Sequence, residues 1–181
     1  MAALMLGLGL AGATVQADSY DERRVRTAAR LVRALLTAHE GLAAKAQSDG
    51  GLEVLVLGDQ DRQTDPLPSL IAPPVKGSPT QISGHALRAR ISAELPPAES
   101  SLPVAVFLSQ KLDDPAFAEL LQWCIERGVI LYSPFEGDVE RGATAGVSIQ
   151  AKVQPFVNLD TLSSSGIALR RFYIDHSKVV P

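Results

Sequence analysis

Three short apolar runs stand out in the pattern of hydrophobic and polar positions along the chain. They cover residues 52–59 (LEVLVLGD), 103–109 (PVAVFLS) and 129–133 (VILYS). A strand buried on both faces of a parallel sheet has this near-continuous apolar composition, because helices cover both of its faces. We therefore predict three strands of one mostly parallel sheet.

The segment between the second and third runs predicts a helix. Asp113 and Pro115 are favourable at a helix start, and Gly128 is favourable just past a helix end. A strand, a helix and a strand joined by short links form a βαβ unit, whose crossover is almost always right-handed. The predicted fold class is α/β, a mostly parallel central sheet flanked by helices. The predicted buried stripe of this helix is Phe117, Leu120, Leu121, Cys124 and Ile125.

Weaker patterns predict the remaining elements. Apolar residues at steps of three and four predict a helix over residues 20–47, a short helix is expected near 67–72, and a strand near 87–91. Residues 147–157 predict a C-terminal antiparallel hairpin, with Pro155 at an edge or a bulge because it has no N–H to donate. Asn158 is expected to cap a short helix that Gly166 ends. The closing residues fit a strand, a helix or both.

The first seventeen residues differ from the rest of the chain, because they contain no charge and end in Val15-Gln16-Ala17. This composition is typical of a secretion signal cleaved after Ala17, although the usual positive start is missing. The alternative is a buried N-terminal helix, which the glycines of this stretch disfavour. We predict a periplasmic protein with a signal at residues 1–17 and one domain over residues 18–181, not itself membrane-spanning.

Composition narrows the function further. The chain has 181 residues and a formal net charge of −3, so it lacks the basic balance of a nucleic-acid-binding domain.

Cys124 is the single cysteine and is expected to be a buried apolar residue. An intermolecular disulfide is the alternative in an oxidising compartment.

The stretch SPFEGDVERGAT, residues 133–144, is one residue away from a phosphate-binding loop of the G-x-x-x-x-G-K-[ST] type. Ala143 replaces the lysine, and Asp138 and Glu140 would repel a phosphate. We expect a structural loop instead, in which Gly137, Gly142 and Gly146 use positive φ angles. The stretch therefore predicts no nucleotide site.

No catalytic or metal-binding constellation is recognisable in the sequence. The three histidines lie in separate segments, and no serine has the surroundings of a nucleophile. We therefore expect no enzyme, no metal and no cofactor. Any ligand should bind where parallel strands end at their carboxyl side. The residues predicted there for a ligand or partner are Asp59, Gln110, Phe135, Glu136, Asp138, Glu140 and Arg141.

The order of motifs resembles the YfiR-like family of small periplasmic proteins. The motifs are VLVLGD, PVAVFLS, RGVILYS, the GVSIQ hairpin, VNLDTLSSSGIAL and HSKVV. The resemblance implies a non-enzymatic regulator that tends to form a homodimer. It would control an inner-membrane signalling partner, which is typically a diguanylate cyclase, an enzyme that makes cyclic di-GMP, and sometimes a sensor kinase. The family's redox-controlled members carry cysteine pairs, so that control is not expected in a chain with Cys124 alone.

A second resemblance supports a different function. The loop SPFEGDVERG is similar to loops in short proteins related to one lobe of the substrate-binding components of ABC transporters. It implies a periplasmic solute-binding module that holds a small ligand at the strand ends. Regulation of a membrane partner, through the first helix or the hairpin, and capture of a small ligand are thus the two expected functions.

Overall fold

The structure is a computed structural model that describes residues 12–97 and 100–181, with side chains from Tyr20 onward. The predicted secretion signal at residues 1–17 lies mostly outside the described residues; the backbone from Gly12 is already helical. The elements follow in chain order. They are helix α1 (Gly12–Ala38), a 3-10 turn (Leu42–Lys45), β1 (Leu52–Leu57), α2 (Leu67–Ile71), β2 (Gln81–Ile82), β3 (His85–Ser92), β4 (Ala105–Leu108), α3 (Asp114–Arg127), β5 (Ile130–Ser133), β6 (Ala145–Ile149), β7 (Val153–Asn158), α4 (Leu159–Ser164), α5 (Arg171–Asp175) and β8 (Lys178–Val180).

Eight strands form one sheet in the order β2-β3-β1-β4-β5-β6-β7-β8. The strands β3, β1, β4, β5 and β6 run parallel to one another, β6 and β7 form an antiparallel hairpin, and β8 returns parallel to β7. The short strand β2 is antiparallel at the other edge. The predicted α/β class, with a mostly parallel central sheet and a C-terminal antiparallel hairpin, is confirmed.

The strand order reverses direction at β1. The chain passes from β1 to β3 on one side and then places β4 on the other side of β1. Right-handed crossovers put the helices that follow these two directions, α2 and α3, on opposite faces of the sheet. Helix α1 packs against α2 on the same face. Open sheets of this kind bind ligands at such a reversal, outside the carboxyl ends of the strands.

The centre of the sheet is fully buried, as its apolar sequence predicts. All residues of β4 and β5 are inaccessible, and the rings of Phe107 and Tyr132, paired in register, stack with centroids 5.6 Å apart. Burial raises the pKa of the Tyr132 hydroxyl well above its ordinary value, so the side chain is a neutral core residue. The core thus fixes the strand ends on which any site depends.

The predicted helix caps are confirmed. The Asp113 carboxylate accepts a hydrogen bond of 2.9 Å from the backbone N–H of Ala116, and Gly128 closes α3 in the left-handed conformation with φ 58°. The Asn158 side chain accepts a bond of 2.8 Å from the N–H of Thr161 at the start of α4. Short polar side chains and glycine therefore set these boundaries as the sequence indicates.

Helix α1 ends nine residues earlier than predicted, at Ala38 instead of residue 47. The backbone N–H of Arg170 donates to the Ala38 carbonyl at 2.8 Å, and the N–H of Glu40 donates to the Ala168 carbonyl at 3.0 Å. The segment before α5 thus takes backbone groups that a longer helix would need. The periodicity of the sequence could not reveal these hydrogen bonds, because their partners lie about 130 residues away along the chain.

One predicted glycine conformation is corrected by the structure. Gly137 and Gly142 have positive φ angles as predicted, but Gly146 does not. Gly146 lies within β6, where a Cβ atom would overlap the backbone carbonyl of Ser133.

The closing residues form both a helix and a strand, α5 and β8. Pro155 pairs in register with β6 alone, because β8 reaches β7 only from Phe156 onward. The proline therefore occupies an edge position, as expected.

Within the described ranges, none of the helices has both the length and the apolar character needed to cross a bilayer. The same part of the chain also holds no group of three or more acidic, histidine or cysteine side chains arranged to bind a metal ion.

Candidate functional site

A cleft of about 200 Å³ lies at the reversal of strand order, outside the carboxyl ends of the central strands. Its walls come from four segments: the middle of α1, the loop after β1, the loop after β4 and the loop after β5. The residues that line it are Asp21, Glu22, Val25, Gln63, Leu67, Ser109, Gln110, Lys111 and Phe135. The volume is smaller than the range of about 300–1,000 Å³ common for drug-sized ligands, so the cleft fits a small metabolite.

The wall between β1 and β4 is fixed by backbone and side-chain hydrogen bonds. The Ser109 hydroxyl donates to the Leu57 carbonyl at 2.7 Å and ties the two strand ends together. Gly58 lies beside this hydroxyl, which a Cβ atom at that position would displace, and it has a φ of 153°, which other residues rarely adopt. Glycine is therefore favoured where the chain leaves β1.

The loop that carries Gln63 is equally well ordered by its own polar groups. The Asp61 carboxylate accepts hydrogen bonds from the N–H groups of Gln63 (2.8 Å) and Thr64 (2.9 Å). The Thr64 hydroxyl donates to the Asp59 carbonyl at 2.7 Å. These N–H donors lower the pKa of Asp61, which therefore stays ionised and keeps the turn closed.

The middle of α1 is held over the cleft by Arg24, which is 5% exposed. Its guanidinium donates to the carbonyl of Pro134, just after β5, and to that of Val147 in β6 at 3.1 Å. Asp21 and Glu22 lie in the turn just before Arg24 and face the cleft. The buried arginine thus positions two carboxylates at the strand ends.

Charge in the cleft is divided between its two sides. Asp21 and Glu22 come from α1, and the Glu22 carboxylate also pairs with Arg26 at 2.8 Å. Lys111 comes from the loop after β4, and within the described part of the chain neither it nor Asp21 has an ion-pair partner. The apolar floor consists of Val25, Leu67 and Phe135. This arrangement suits a small molecule that carries both a cation and an anion.

The predicted site residues are divided among several places. Gln110 and Phe135 line the cleft. Glu136 and Glu140 line a separate cavity of about 30 Å³ with Arg24 and Lys178, in which the Glu140 carboxylate is 3.6 Å from the Lys178 ammonium. Asp59 follows β1 on the surface but does not line the cleft; only its carbonyl is engaged, by Thr64.

Asp138 and Arg141 have internal partners that account for them. Asp138 is 1% exposed and accepts a 2.6 Å bond from the Ser133 hydroxyl and a 3.1 Å bond from Arg141. Arg141 also donates to Asp114 at 2.8 Å and covers the ring of Phe117. The resemblance of this loop to a phosphate-binding loop therefore has a structural explanation: its charges close the turn and attach it to α3.

Sequence reasoning missed the contribution of α1. Asp21 and Glu22 were not predicted, because the hydrophobic pattern of a helix does not say which strand ends the helix lies against. Lys111 and Ser109 are adjacent to the predicted Gln110, and the rule that ligands bind beyond parallel strands already indicated their loop. The missing information was the position of α1 relative to the strand ends, which depends on the tertiary structure.

No protein-family model matches the chain, and no curated protein matches it either. The resemblance to the YfiR-like family therefore stays a prediction.

A similar solved structure is described as the crystal structure of the ABC domain in complex with L-Trp from Streptococcus pneumonia. The two chains share 11% sequence identity with a TM-score of 0.50, and the match covers 87% of this chain. It spans 60% of the other chain, so this protein matches less than two thirds of that neighbour's length. At this identity the likeness bears on the α/β fold alone.

Proposed function

We propose that this protein is a non-enzymatic binding domain that holds a small zwitterionic metabolite, such as an amino acid, in the cleft at the reversal of strand order. The observation that carries the proposal is the presence of the unpaired Lys111 and the carboxylate of Asp21 in one small cleft above an apolar floor. A ligand carboxylate would meet Lys111, and a ligand ammonium would meet Asp21 and Glu22.

The fold supports this proposal. Ligands of open α/β sheets bind where the strand order reverses, and the cleft lies there. The similar structure from Streptococcus pneumonia contains L-Trp, which is an amino acid with an apolar side chain. A periplasmic location, as the apolar first residues predict, is part of the proposal.

The side chains of the cleft also suit binding more than catalysis. Lys111 and Gln110 are exposed, and the Ser109 hydroxyl already donates to a backbone carbonyl, so it lacks a base that could activate it. Cys124 lies in the core, and burial raises the pKa of its thiol to about 12. A thiol with that pKa is not a nucleophile near neutral pH.

A thermal-unfolding screen with free amino acids, dicarboxylates and diamines tests this function. A ligand that binds the folded state raises the unfolding midpoint, and at a hundred times its dissociation constant it stabilises the fold by about 2.7 kcal/mol. We expect apolar amino acids to raise the midpoint, and diamines and dicarboxylates to do so less, because each satisfies only one side of the cleft.

Lys111→Met and Asp21→Asn should each remove most of this ligand-induced shift without lowering the stability of the free protein. Lys152→Met, which changes an exposed lysine in the β6–β7 turn, is the matched control and should retain the shift. Equal ligand responses in Lys111→Met and Lys152→Met would contradict the proposed site.

Regulation of an inner-membrane signalling partner, a diguanylate cyclase or a sensor kinase, is the second candidate. A specific observation favours it: Tyr20 of α1 (49% exposed) and Val153 of the hairpin (51% exposed) form the apolar side of one groove with Ile149. Arg23, Arg24 and Thr27 line the rest of this groove. The first helix and the hairpin are the two elements predicted to meet a partner. Exposed apolar surface of this kind is typical of protein contacts.

Crosslinking in membranes of the source cell tests the second candidate. The double variant Tyr20→Ser/Val153→Ser should lose a crosslink to an integral-membrane protein. Phe172→Ser is the control, since Phe172 is an equally exposed apolar residue (55%) on α5. Retention of the crosslink in the double variant, or its loss in the control, would count against this surface.

A further inference from the structure

The outer face of α1 carries a stripe of arginines. Arg23, Arg26, Arg30 and Arg33 follow one another at steps of three, four and three residues. At 3.6 residues per turn they lie within about 80° of the helix circumference and extend over about 15 Å. The opposite face of the helix is buried in the core through Val25, Ala28, Ala29, Val32, Leu35 and Leu36.

Most of the positive charge of the arginine stripe lies at the surface. Arg23 and Arg30 are exposed and the Arg26 side chain is 39% exposed, whereas Arg33 is half-buried and the Nε atoms of Arg26 and Arg33 are inaccessible to solvent. Glu22, at the flank of the stripe, pairs with Arg26 at 2.8 Å, whereas Arg30 and Arg33 meet no carboxylate in the part of the chain that the structure describes. The whole chain has a formal charge of −3, so this positive face is a local concentration and not an overall basic balance.

We propose that the arginine stripe is a docking surface for an anionic lipid bilayer. Anionic headgroups attract each nearby arginine by about 1 kcal/mol, which is about fivefold in a partition coefficient. The apolar side of α1 is occupied by the core, so the contact is made at headgroup level and not by insertion of the helix. The stripe is straight and follows one helix, which suits a flat surface.

Residues 1–17, which are predicted to be a cleaved secretion signal, are not needed for this contact, because the arginines themselves provide the attraction to the headgroups. A nucleic acid is the less favoured polyanion, because a chain with a formal net charge of −3 lacks the basic balance that is typical of nucleic-acid-binding domains.

Vesicle co-sedimentation of the full chain tests the proposal. The measured quantity is the partition coefficient on vesicles with about 30% phosphatidylglycerol, divided by that on pure phosphatidylcholine, which isolates the charge-dependent part of binding from any apolar contribution. We expect a ratio well above one at about 0.05 M salt and a marked fall at about 0.5 M salt, where charges are screened.

The triple variant R26Q/R30Q/R33Q should lower this ratio by a factor on the order of one hundred. The variant R62Q/R88Q/R171Q removes the same charge from three exposed arginines elsewhere and should lower it much less. Thermal melts of both variants check that the fold is intact. A wild-type ratio near one, an equal ratio in the two variants, or tighter binding to a short DNA duplex than to the vesicles would overturn the proposal.

Discussion

The Ser133 hydroxyl donates a hydrogen bond of 2.6 Å to the buried carboxylate of Asp138, five residues further along the chain. This bond closes the glycine-containing loop at the carboxyl end of β5. Arg141 approaches the second carboxylate oxygen at 3.1 Å. The loop that resembles a phosphate-binding loop in sequence is therefore closed by hydrogen bonds between its own side chains.

Replacing Asp138 with asparagine should destabilise the fold. Asp138 is 1% exposed, and the change removes the charge that Arg141 pairs with while leaving the Ser133 hydroxyl in place. We expect a loss of about 1–3 kcal/mol in the free energy of unfolding, measured by urea denaturation. Asp114→Asn removes the other, 93% exposed partner of Arg141 and should cost at most about 0.5 kcal/mol. Equal losses would show that burial of Asp138 does not matter.

Gly146→Ala should disrupt the junction of β5 and β6. The added Cβ would overlap the Ser133 carbonyl, which belongs to the paired strand and cannot move freely. The expected loss is more than about 2 kcal/mol, whereas Gly137→Ala, in open space but with φ 86°, should lose only about 1 kcal/mol through backbone strain. Thermal unfolding of both variants measures the difference, and a smaller loss at Gly146 would argue against this packing.

Acidification should weaken the fold through His39. Burial lowers the pKa of this imidazole from its ordinary 6.5, with Lys45 adding to the effect, while a backbone hydrogen bond of His39 and the charge of Glu40 oppose it. Between the lowered pKa and 6.5 the unfolded chain binds more protons than the folded one, so the free energy of unfolding falls as the pH drops below about 6.5.

His39→Gln should flatten this pH dependence, because it removes the titrating ring. His176→Gln, at an exposed position on the surface, is the control and should leave the slope unchanged. The pKa of Asp61 is lowered from 3.8 and that of Glu126 from 4.5, so neither carboxylate contributes in this window. A slope that persists in His39→Gln would assign it to another group.

Cys124 should resist modification in the native protein. It is buried on α3, and burial raises the pKa of its thiol to about 12. We expect no reaction with a disulfide reagent at pH 8 until the chain is unfolded in denaturant, and no disulfide-linked dimer on a non-reducing gel. Rapid labelling without denaturant would place the thiol in an accessible position.

Local features of the sequence predicted much of the fold. The apolar runs identified the three central strands, and Asp113, Asn158 and Gly128 marked helix ends because their effects act within one turn. The end of α1 at Ala38 was not predictable, since it depends on a hydrogen bond from Arg170.

The candidate site was only partly predictable for the same reason. The loop around Gln110 and the ring of Phe135 follow from the rule that ligands bind beyond parallel strands. Asp21 and Glu22 reach the cleft because Arg24 anchors α1 on the carbonyls of Pro134 and Val147, a contact between segments more than 100 residues apart. Asp138 and Arg141 were predicted among the residues that meet a ligand or partner, and the structure pairs them with each other.

The most direct test of the proposed binding function is a titration of the isotopically labelled protein, followed by backbone amide resonances, with the amino acid that gives the largest thermal shift. The account predicts saturable changes at Gln63, at Ser109, Gln110 and Lys111, and at Phe135, the residues that surround the cleft. Resonances of the β6–β7 turn at residues 150–152 should stay in place. Saturable changes confined to that turn, or no saturable change anywhere, would contradict it.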